Sequence, residues 1–426
     1  MVFEVGIGTS QDWNPEKAAE EVITQALSKL SKPPTFVLLF STIHYEKNKG
    51  FQKILDTIYA KIPKETPLIG GTVVGFMNKT GVYTWGITAL TCYSDSIDVN
   101  VGFGEKTKRD PENAAKKCAA LIKKNQKRDN YINSFLFENT SNGTVPKIPL
   151  IGQKKVMLIP FSSLAVKVLH LFNTLFEYGV GREDEVLEAL SNEFPNHKIL
   201  AASNYDDFKA FTNYQFYNDK ILNNSVSAIE LKTNMNIEMN STFGLNPTEK
   251  TFNIGKKSFH DCLFGAIDGK PATMEFLDKL GWPESFLTET LYKKTNYYPV
   301  GYSEGETVFP HVVGLVIGQS LCFTYKFKKD ELRIYNTSGK DLLNAVVTNI
   351  SKFETKKDKI KFSLIVECAI RLETLGRKCY KIHEILNNFF KDTPFLLIYG
   401  AGEGVYIPKN KPAYFNLSFN IATFSD

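Results

Sequence analysis

Apolar residues fall along this chain in two periods. Short, mostly apolar runs, such as 36–40, 362–367 and 395–399, read as buried strands, 36–40 being apolar throughout. Stripes recurring every three or four residues read as helices between them. The first stripe, Ala18, Ala19, Val22, Ile23, Ala26, Leu27 and Leu30, follows Asn14 and Pro15, with Glu16 close behind. Asn at the N-cap, Pro at the first helical position and an early acid are helix-start signals.

The pattern predicts a strand over 2–7, a helix from Pro15, a strand over 36–40, a helix over 51–61 and a strand over 67–71. That strand breaks into Gly70-Gly71-Thr72-Val73-Val74-Gly75. Strands over 82–91 and 97–103 follow, then a helix over 111–127. The polar stretch 129–151 reads as an exposed loop or insertion. A strand over 156–161 enters Ser162-Ser163, and helices over 164–178 and 183–194 lead to a strand over 199–202. It ends in the small polar turn Ser203-Asn204-Tyr205-Asp206-Asp207. Strands over 214–217, 225–231 and 236–243 come next, and later a helix over 271–280. A strand over 362–367, helical segments to residue 391 and a strand over 395–399 then run into Gly400-Ala401-Gly402-Glu403-Gly404.

An apolar strand, a helix and a second strand breaking into a small-residue turn thus recur. VLLFST leads to PLIGGTVVG, VMLIPFS to KILAASNYDD, and FSLIVEC to PFLLIYGAGEG. Strand, helix and strand in this order imply parallel pairs joined by right-handed crossovers. Ligand sites in such folds lie at the carboxyl ends of the strands. The expected class is α/β with mixed α+β character: pseudo-repeated units forming mixed β-sheets covered by helices, in two lobes.

Composition narrows the partners. With 43% hydrophobic and 23% charged residues among 426, the chain is globular rather than disordered. Lys and Arg number 51 against 46 Asp and Glu, and the net +5 is too mild to point to nucleic acid. No apolar run approaches the roughly 18 residues of a membrane helix. The start, MVFEVGIGTS, lacks the make-up of a signal peptide. A cytoplasmic protein is expected, its six cysteines reduced and without any CxxC pair. The histidines are scattered without metal-ligand spacing, and no cofactor is expected. Gly6-x-Gly8 opens like a dinucleotide-binding loop but lacks the third glycine.

Several motifs together resemble the FIST family. Ile267-Asp268-Gly269-Lys270-Pro271-Ala272 with Leu280-Gly281-Trp282, and Tyr298-Pro299-Val300-Gly301, are similar to segments of its carboxy-terminal domain. So are Cys368-Ala369-Ile370-Arg371, Leu375-Gly376, and Tyr399-Gly400 with Glu403. Gly6–Ser10, 68–75 and 201–206 look like its amino-terminal domain. The resemblance implies an N-like domain over 1–245 and a C-like domain over 246–426. It further implies a sensory module that binds small ligands, works with signalling protein partners and, in eukaryotes, accompanies F-box segments. No F-box-like helices precede residues 1–10, so a stand-alone form is expected. Two departures stand out: 201–206 replaces a GG-A-D-like turn, and 399–403 replaces a T-x-GE ending.

The leading expectation is a non-enzymatic sensor for an amino-acid-like molecule held between glycine-rich turns. Glu403, among Gly400 and Gly402, would bind a ligand amine while nothing bulky shields it. Arg371 would clamp a carboxylate or else pair with Glu373 or Glu403. Ser203, Asn204 and Asp206 would orient the ligand or cap their own turn, and Gly71 and Thr72 occupy the corresponding turn of the first copy. Cys368 lies beside this crevice as a packed thiol or a nucleophile without an adjacent histidine. A protein-interaction scaffold, and a hydrolase or transferase using Cys368 or Ser163, are the alternatives.

Overall fold

Three copies of one β-α-β-α-β-hairpin-β unit build the core. A computed structural model describes residues 2–126, 131–145, 155–157, 171, 179–258, 260–305 and 307–426. The first unit runs β1 (Phe3–Ser10), α1 (Pro15–Leu27), β2 (Phe36–Ser41), α2 (Gly50–Tyr59) and β3 (Leu68–Thr72). The hairpin β4 (Gly75–Asn78) and β5 (Gly81–Tyr83) and the strand β6 (Ile87–Ser94) complete it. The second runs β7 (Ile97–Glu105), α3 (Pro111–Asn125), β8 (Asn133–Ser141), α4 (Glu183–Glu193) and β9 (Lys198–Asn204). Its hairpin is β10 (Gln215–Tyr217) and β11 (Lys220–Leu222), and its last strand β12 (Ser225–Thr233). The third runs β13 (Asn236–Thr242), α5 (Gly339–Ser351), β14 (Ile360–Cys368), α6 (Ala369–Leu375), α7 (Cys379–Phe390) and β15 (Phe395–Gly400). It ends in the hairpin β16 (Glu403–Tyr406) and β17 (Ala413–Phe415), then β18 (Phe419–Ser425).

Each unit forms four strands of a six-stranded sheet, in the orders β1-β6-β2-β3, β7-β12-β8-β9 and β13-β18-β14-β15. The two strands joined by a helical crossover, β2/β3, β8/β9 and β14/β15, are parallel, as the strand–helix–strand pattern requires. The hairpins are exchanged. β4 pairs with β15 of the third unit, β10 with β3 of the first, and β16 with β9 of the second.

The inner faces of all three sheets share one apolar core, with Phe36, Phe40, Phe135, Phe137, Leu364 and Ile398 among its members. Helices cover the outer faces: α1 and α2 on the first sheet, α3 and α4 on the second, α5 to α7 on the third. Residues between β13 and α5 form a second lobe, with a four-stranded and a five-stranded sheet around its own core. Val156–Met157, inserted between β8 and α4, joins that lobe as a strand parallel to Val313–Ile317.

Gly6 and Gly8 lie inside β1, not in a dinucleotide loop. A Cβ at either would stand 1.9 Å from a carbonyl oxygen of α1, on Ala26 and Val22 respectively. Gly104 of β7 meets the Ala114 oxygen of α3 at the same 1.9 Å. Glycine here sets how closely the helix seats on its sheet.

The structure corrects three readings. Residues 129–151 are not all loop, because 133–141 is β8, a central strand buried from Phe135 onward. The polar half of β8 is buried at the meeting of the sheets and hydrogen-bonded there, so its polarity does not signal solvent. The parallel partner of 198–204 is therefore β8, not the stretch from residue 156. Residues 82–91 are split between β5 and β6, which belong to different sheets. Residues 158–161, Ser162, Ser163, His170 and, apart from residue 171, the helix expected over 164–178 fall outside the described residues.

Gly8→Ala and Gly104→Ala should each cost about 1–3 kcal/mol or more through overpacking, read as a lower urea midpoint. Unchanged midpoints would mean that neither helix seats as closely as described.

Candidate functional site

Each third strand must leave its sheet to reach the sheet its hairpin joins, and the three crossing turns meet. Tyr205 N–H donates to the Thr72 oxygen at 3.0 Å, linking the second turn to the first. Val74 N–H donates to the Tyr399 oxygen at 3.1 Å, linking the first to the third. Ser203 N–H donates to Gly402 at 2.9 Å and Ala401 N–H to Ser203 at 3.1 Å, linking second and third. The crossings thus bring together Gly71, Thr72, Ser203, Asn204, Gly400, Gly402 and Glu403, and the turns fill much of the space between them.

Around Thr72 the side chains form a closed polar network. The Asn204 amide donates to the Thr72 carbonyl at 3.0 Å and to Asn139 Oδ1 at 2.9 Å, and accepts from Gln215 Nε2 at 3.0 Å. Asn139 donates to the Gly70 carbonyl. Thr72 Oγ1 accepts from Tyr214 N–H at 3.0 Å. Gly71 leaves room for this network, since a Cβ there would lie 2.4 Å from Asn204 Nδ2. Asp206 accepts three backbone N–H bonds, from Lys209, Ala210 and Phe211, and so fixes the turn after β9.

Glu403 corrects the expectation of an unshielded turn acid. It is fully buried as the first residue of β16, opposite Ala202 and Phe415. Its Oε2 accepts from Ser418 Oγ at 2.8 Å and its Oε1 has no partner. Burial pushes the carboxyl well above its usual range, against hydrogen bonds from Ser418 and the Cys368 thiol. Cys368 is itself fully buried, and burial with the nearby Glu403 holds its thiol well above the normal value. Such a thiol does not ionise near neutrality.

Arg371 pairs with neither Glu373 nor Glu403. Its Nε donates to Glu367 Oε1 at 2.7 Å, with both side chains wholly buried. Its remaining donors reach the carbonyls of Phe243 at 2.9 Å, Leu342 at 2.9 Å and Leu417 at 3.4 Å. The residue ties α6 to β14, α5 and the ends of two further strands, leaving no outward fork for a ligand.

The sequence reading missed Glu183, Tyr325 and Tyr414. Ser203 Oγ donates to Glu183 Oε1 at 3.2 Å and lies 2.8 Å from the Tyr414 hydroxyl. The Tyr325 hydroxyl presses on Gly402, where a Cβ would come within 1.6 Å. Burial raises the Glu183 carboxyl to about 8, so near neutrality its protonated form, with an O–H able to donate a hydrogen bond, predominates. These residues come from α4, the second lobe and β17, far apart in the chain, and no local sequence signal brings them together. No group of three or more His, Cys, Asp and Glu among the described residues is placed to hold a metal.

The junction reaches solvent at the half-buried Tyr205 and Ala401. Tyr205 faces Tyr292 of the second lobe and Glu373 of α6, close enough for both to act on its phenol.

The fold is that of a two-lobed α/β protein made of hairpin-exchanged units. The chain belongs to the FIST family: the FIST N domain matches residues 35–263, more than half of its length. That family is associated with small-ligand sensing in signal transduction. No curated protein matches the chain. A solved structure of cyanuric acid hydrolase from A. caulinodans aligns over 100% of both chains at 7% identity, with a TM-score of 0.37. That score is too low to bear on function. No helix among the described residues is long and apolar enough to cross a membrane.

Arg371→Met should cost about 3–5 kcal/mol because Glu367 loses its buried counter-ion. Adding Glu367→Met should recover much of the loss; a double variant as weak as the single one would contradict this. A pH dependence follows from Glu138 and Glu183, whose carboxyls burial raises from 4.5 to about 8. As pH rises through that window the unfolded chain releases protons that the fold retains, so stability falls. Urea midpoints should therefore decline from about pH 5 to 8, and less steeply in Glu138→Gln. An equal slope in that variant would count against it.

Proposed function

We propose that this protein is a small-ligand sensor that takes an amino-acid-like molecule where the strand-end turns meet and reports occupancy to a signalling protein partner. The observation that carries this reading is the pairwise hydrogen bonding of the three turns. A ligand touching any one of them acts on all three units, because each turn also leads into a hairpin of another sheet. Membership of the FIST family supports the same reading. Ser203 and Glu403, with the backbone of Gly400 and Gly402, are the proposed turn contacts. Thr72, Asn204, Asp206 and Gly71 hold the turns in place, and Cys368 and Arg371 support them from beneath.

Burial pushes the Glu403 carboxyl well above its usual range and so favours its neutral form, which bears on ligand chemistry. A neutral acid donates a hydrogen bond, so a ligand carbonyl or an uncharged amine suits it better than an ammonium does.

Thermal-shift measurements against amino acids and related metabolites provide the test. At about a hundredfold excess over Kd, a true ligand adds about 2.7 kcal/mol to stability. The shift should shrink in Ser203→Ala and in Glu403→Gln, each compared with its own ligand-free midpoint. A screen without any stabilising compound, or a shift unaffected by both variants, would sink the proposal.

A further inference from the structure

A cleft opens at the end of β9 opposite the strand-end turns, where the second and third units meet. It holds about 280 Å³, close to the lower limit of about 300 Å³ for ligand pockets. Lys198, which starts β9, lines it together with Glu238, Met239 and Asn240 of β13. Lys352 and Phe353, just past α5, and Ile407, just past β16, complete the wall. Ser203 lies further along β9, about 17 Å from Lys198 in extended strand, so the cleft is separate from the turns.

The lining divides into an apolar floor and a basic rim. Phe353 is buried in the core beneath α5 to α7, and the half-buried Met239 packs on the core shared by the sheets. With Ile407 they offer a guest an apolar surface. Lys198 Nζ donates to the Ile237 carbonyl and Lys352 Nζ to Asn240 Oδ1 at 2.9 Å, so each ammonium keeps N–H groups to spare. Among the described residues neither forms an ion pair within 4.0 Å.

Glu238 is the acid of the cleft, and it is already engaged. Its Oε1 takes Lys356 Nζ at 2.5 Å and Asn236 Nδ2 at 2.7 Å. The ammonium groups of Lys198, Lys352 and Lys356 thus stand around one carboxylate, an excess of two positive charges. The carboxyl end of α5, which Lys352 caps, returns about half a negative charge. More than one positive charge remains. Burial pushes the Lys198 amine below the ordinary lysine value, with Glu238 pulling against it. An incoming anion relieves that cost.

We infer that this cleft binds a small phosphate monoester, its phosphate on Lys198 and Lys352 and its apolar body against Met239, Phe353 and Ile407. A phosphate monoester is close to doubly charged near neutrality, its second pKa being about 6, and so matches the excess better than a single carboxylate does. No turn residue takes part, so the inference stands apart from the sensor reading. A guest here braces the end of the β9/β16 pairing, in which Ile199 faces Tyr406.

Calorimetry on the full chain, at about pH 7.5 and low salt, provides the test. Phenyl phosphate is the probe; benzoate, phenol and inorganic phosphate are the controls. Phenyl phosphate should bind saturably and at least about tenfold tighter than any control. Lys198→Met should weaken that binding about tenfold, and Lys352→Met, at the exposed rim, about threefold. Glu238→Gln should tighten it, a gain that a misfolded variant does not give. The inference is overturned by an absence of saturable binding, or by a control that binds as tightly as the probe; inorganic phosphate doing so marks an adventitious ion only. Equal affinity in both lysine variants overturns it too, as does unchanged or weaker binding in Glu238→Gln.

Discussion

An open sheet edge is the constraint on which this fold depends. β3, β9 and β15 each stand at the end of their own unit's four strands, with backbone groups that need partners. No unit covers its own edge. β10 of the second unit closes the first sheet, β16 of the third closes the second, and β4 of the first closes the third. The exchange is cyclic, so each unit completes one neighbour and is completed by the other. The units are therefore interdependent, and the pairings that close the sheets join residues as distant as Tyr399 and Gly75. Such non-local closure is slow to form and costly to break locally.

The turns meet because of this exchange. A chain leaving the end of β3 for the third sheet, of β9 for the first, or of β15 for the second must cross the space between sheets. Crossing there buries backbone and polar side chains together, and each needs a partner. The three crossings solve this differently, as the first residues of the exchanged hairpins show. Gly75 brings no side chain, Gln215 brings an amide that bonds Asn204 and Ser225, and Glu403 brings a carboxyl bonded by Ser418. Only the carboxyl keeps an oxygen without a partner. Near-symmetry of backbone with asymmetry of side chains leaves the third crossing as the chemically distinct one.

Local periodicity carried the strands that are mostly apolar, and the fold class with them. β2, β14 and β15 are of this kind, as is the strand–helix–strand rhythm around them. It failed where burial and polarity coincide. β8 holds Glu138, Asn139, Thr140 and Ser141 inside the protein, and no short-range pattern distinguishes that from a polar loop. Gly402, Glu403 and Gly404 have low strand propensity, yet pairing with β9 and β17 on either side makes 403–406 a strand. The partner of Arg371 was missed for a related reason. Glu367 belongs to an apolar strand and sits four residues before Arg371 across the strand–helix junction, where it reads as a surface residue.

Arg371 shows how burial decides a side chain's role. Arg371 has the planar fork suited to a ligand carboxylate, but every direction it faces holds a protein acceptor, and Glu367 neutralises it at 2.7 Å. Redirecting it outward would strand Glu367 in the core, at a cost of about 3–5 kcal/mol, more than a single hydrogen bond to a ligand returns.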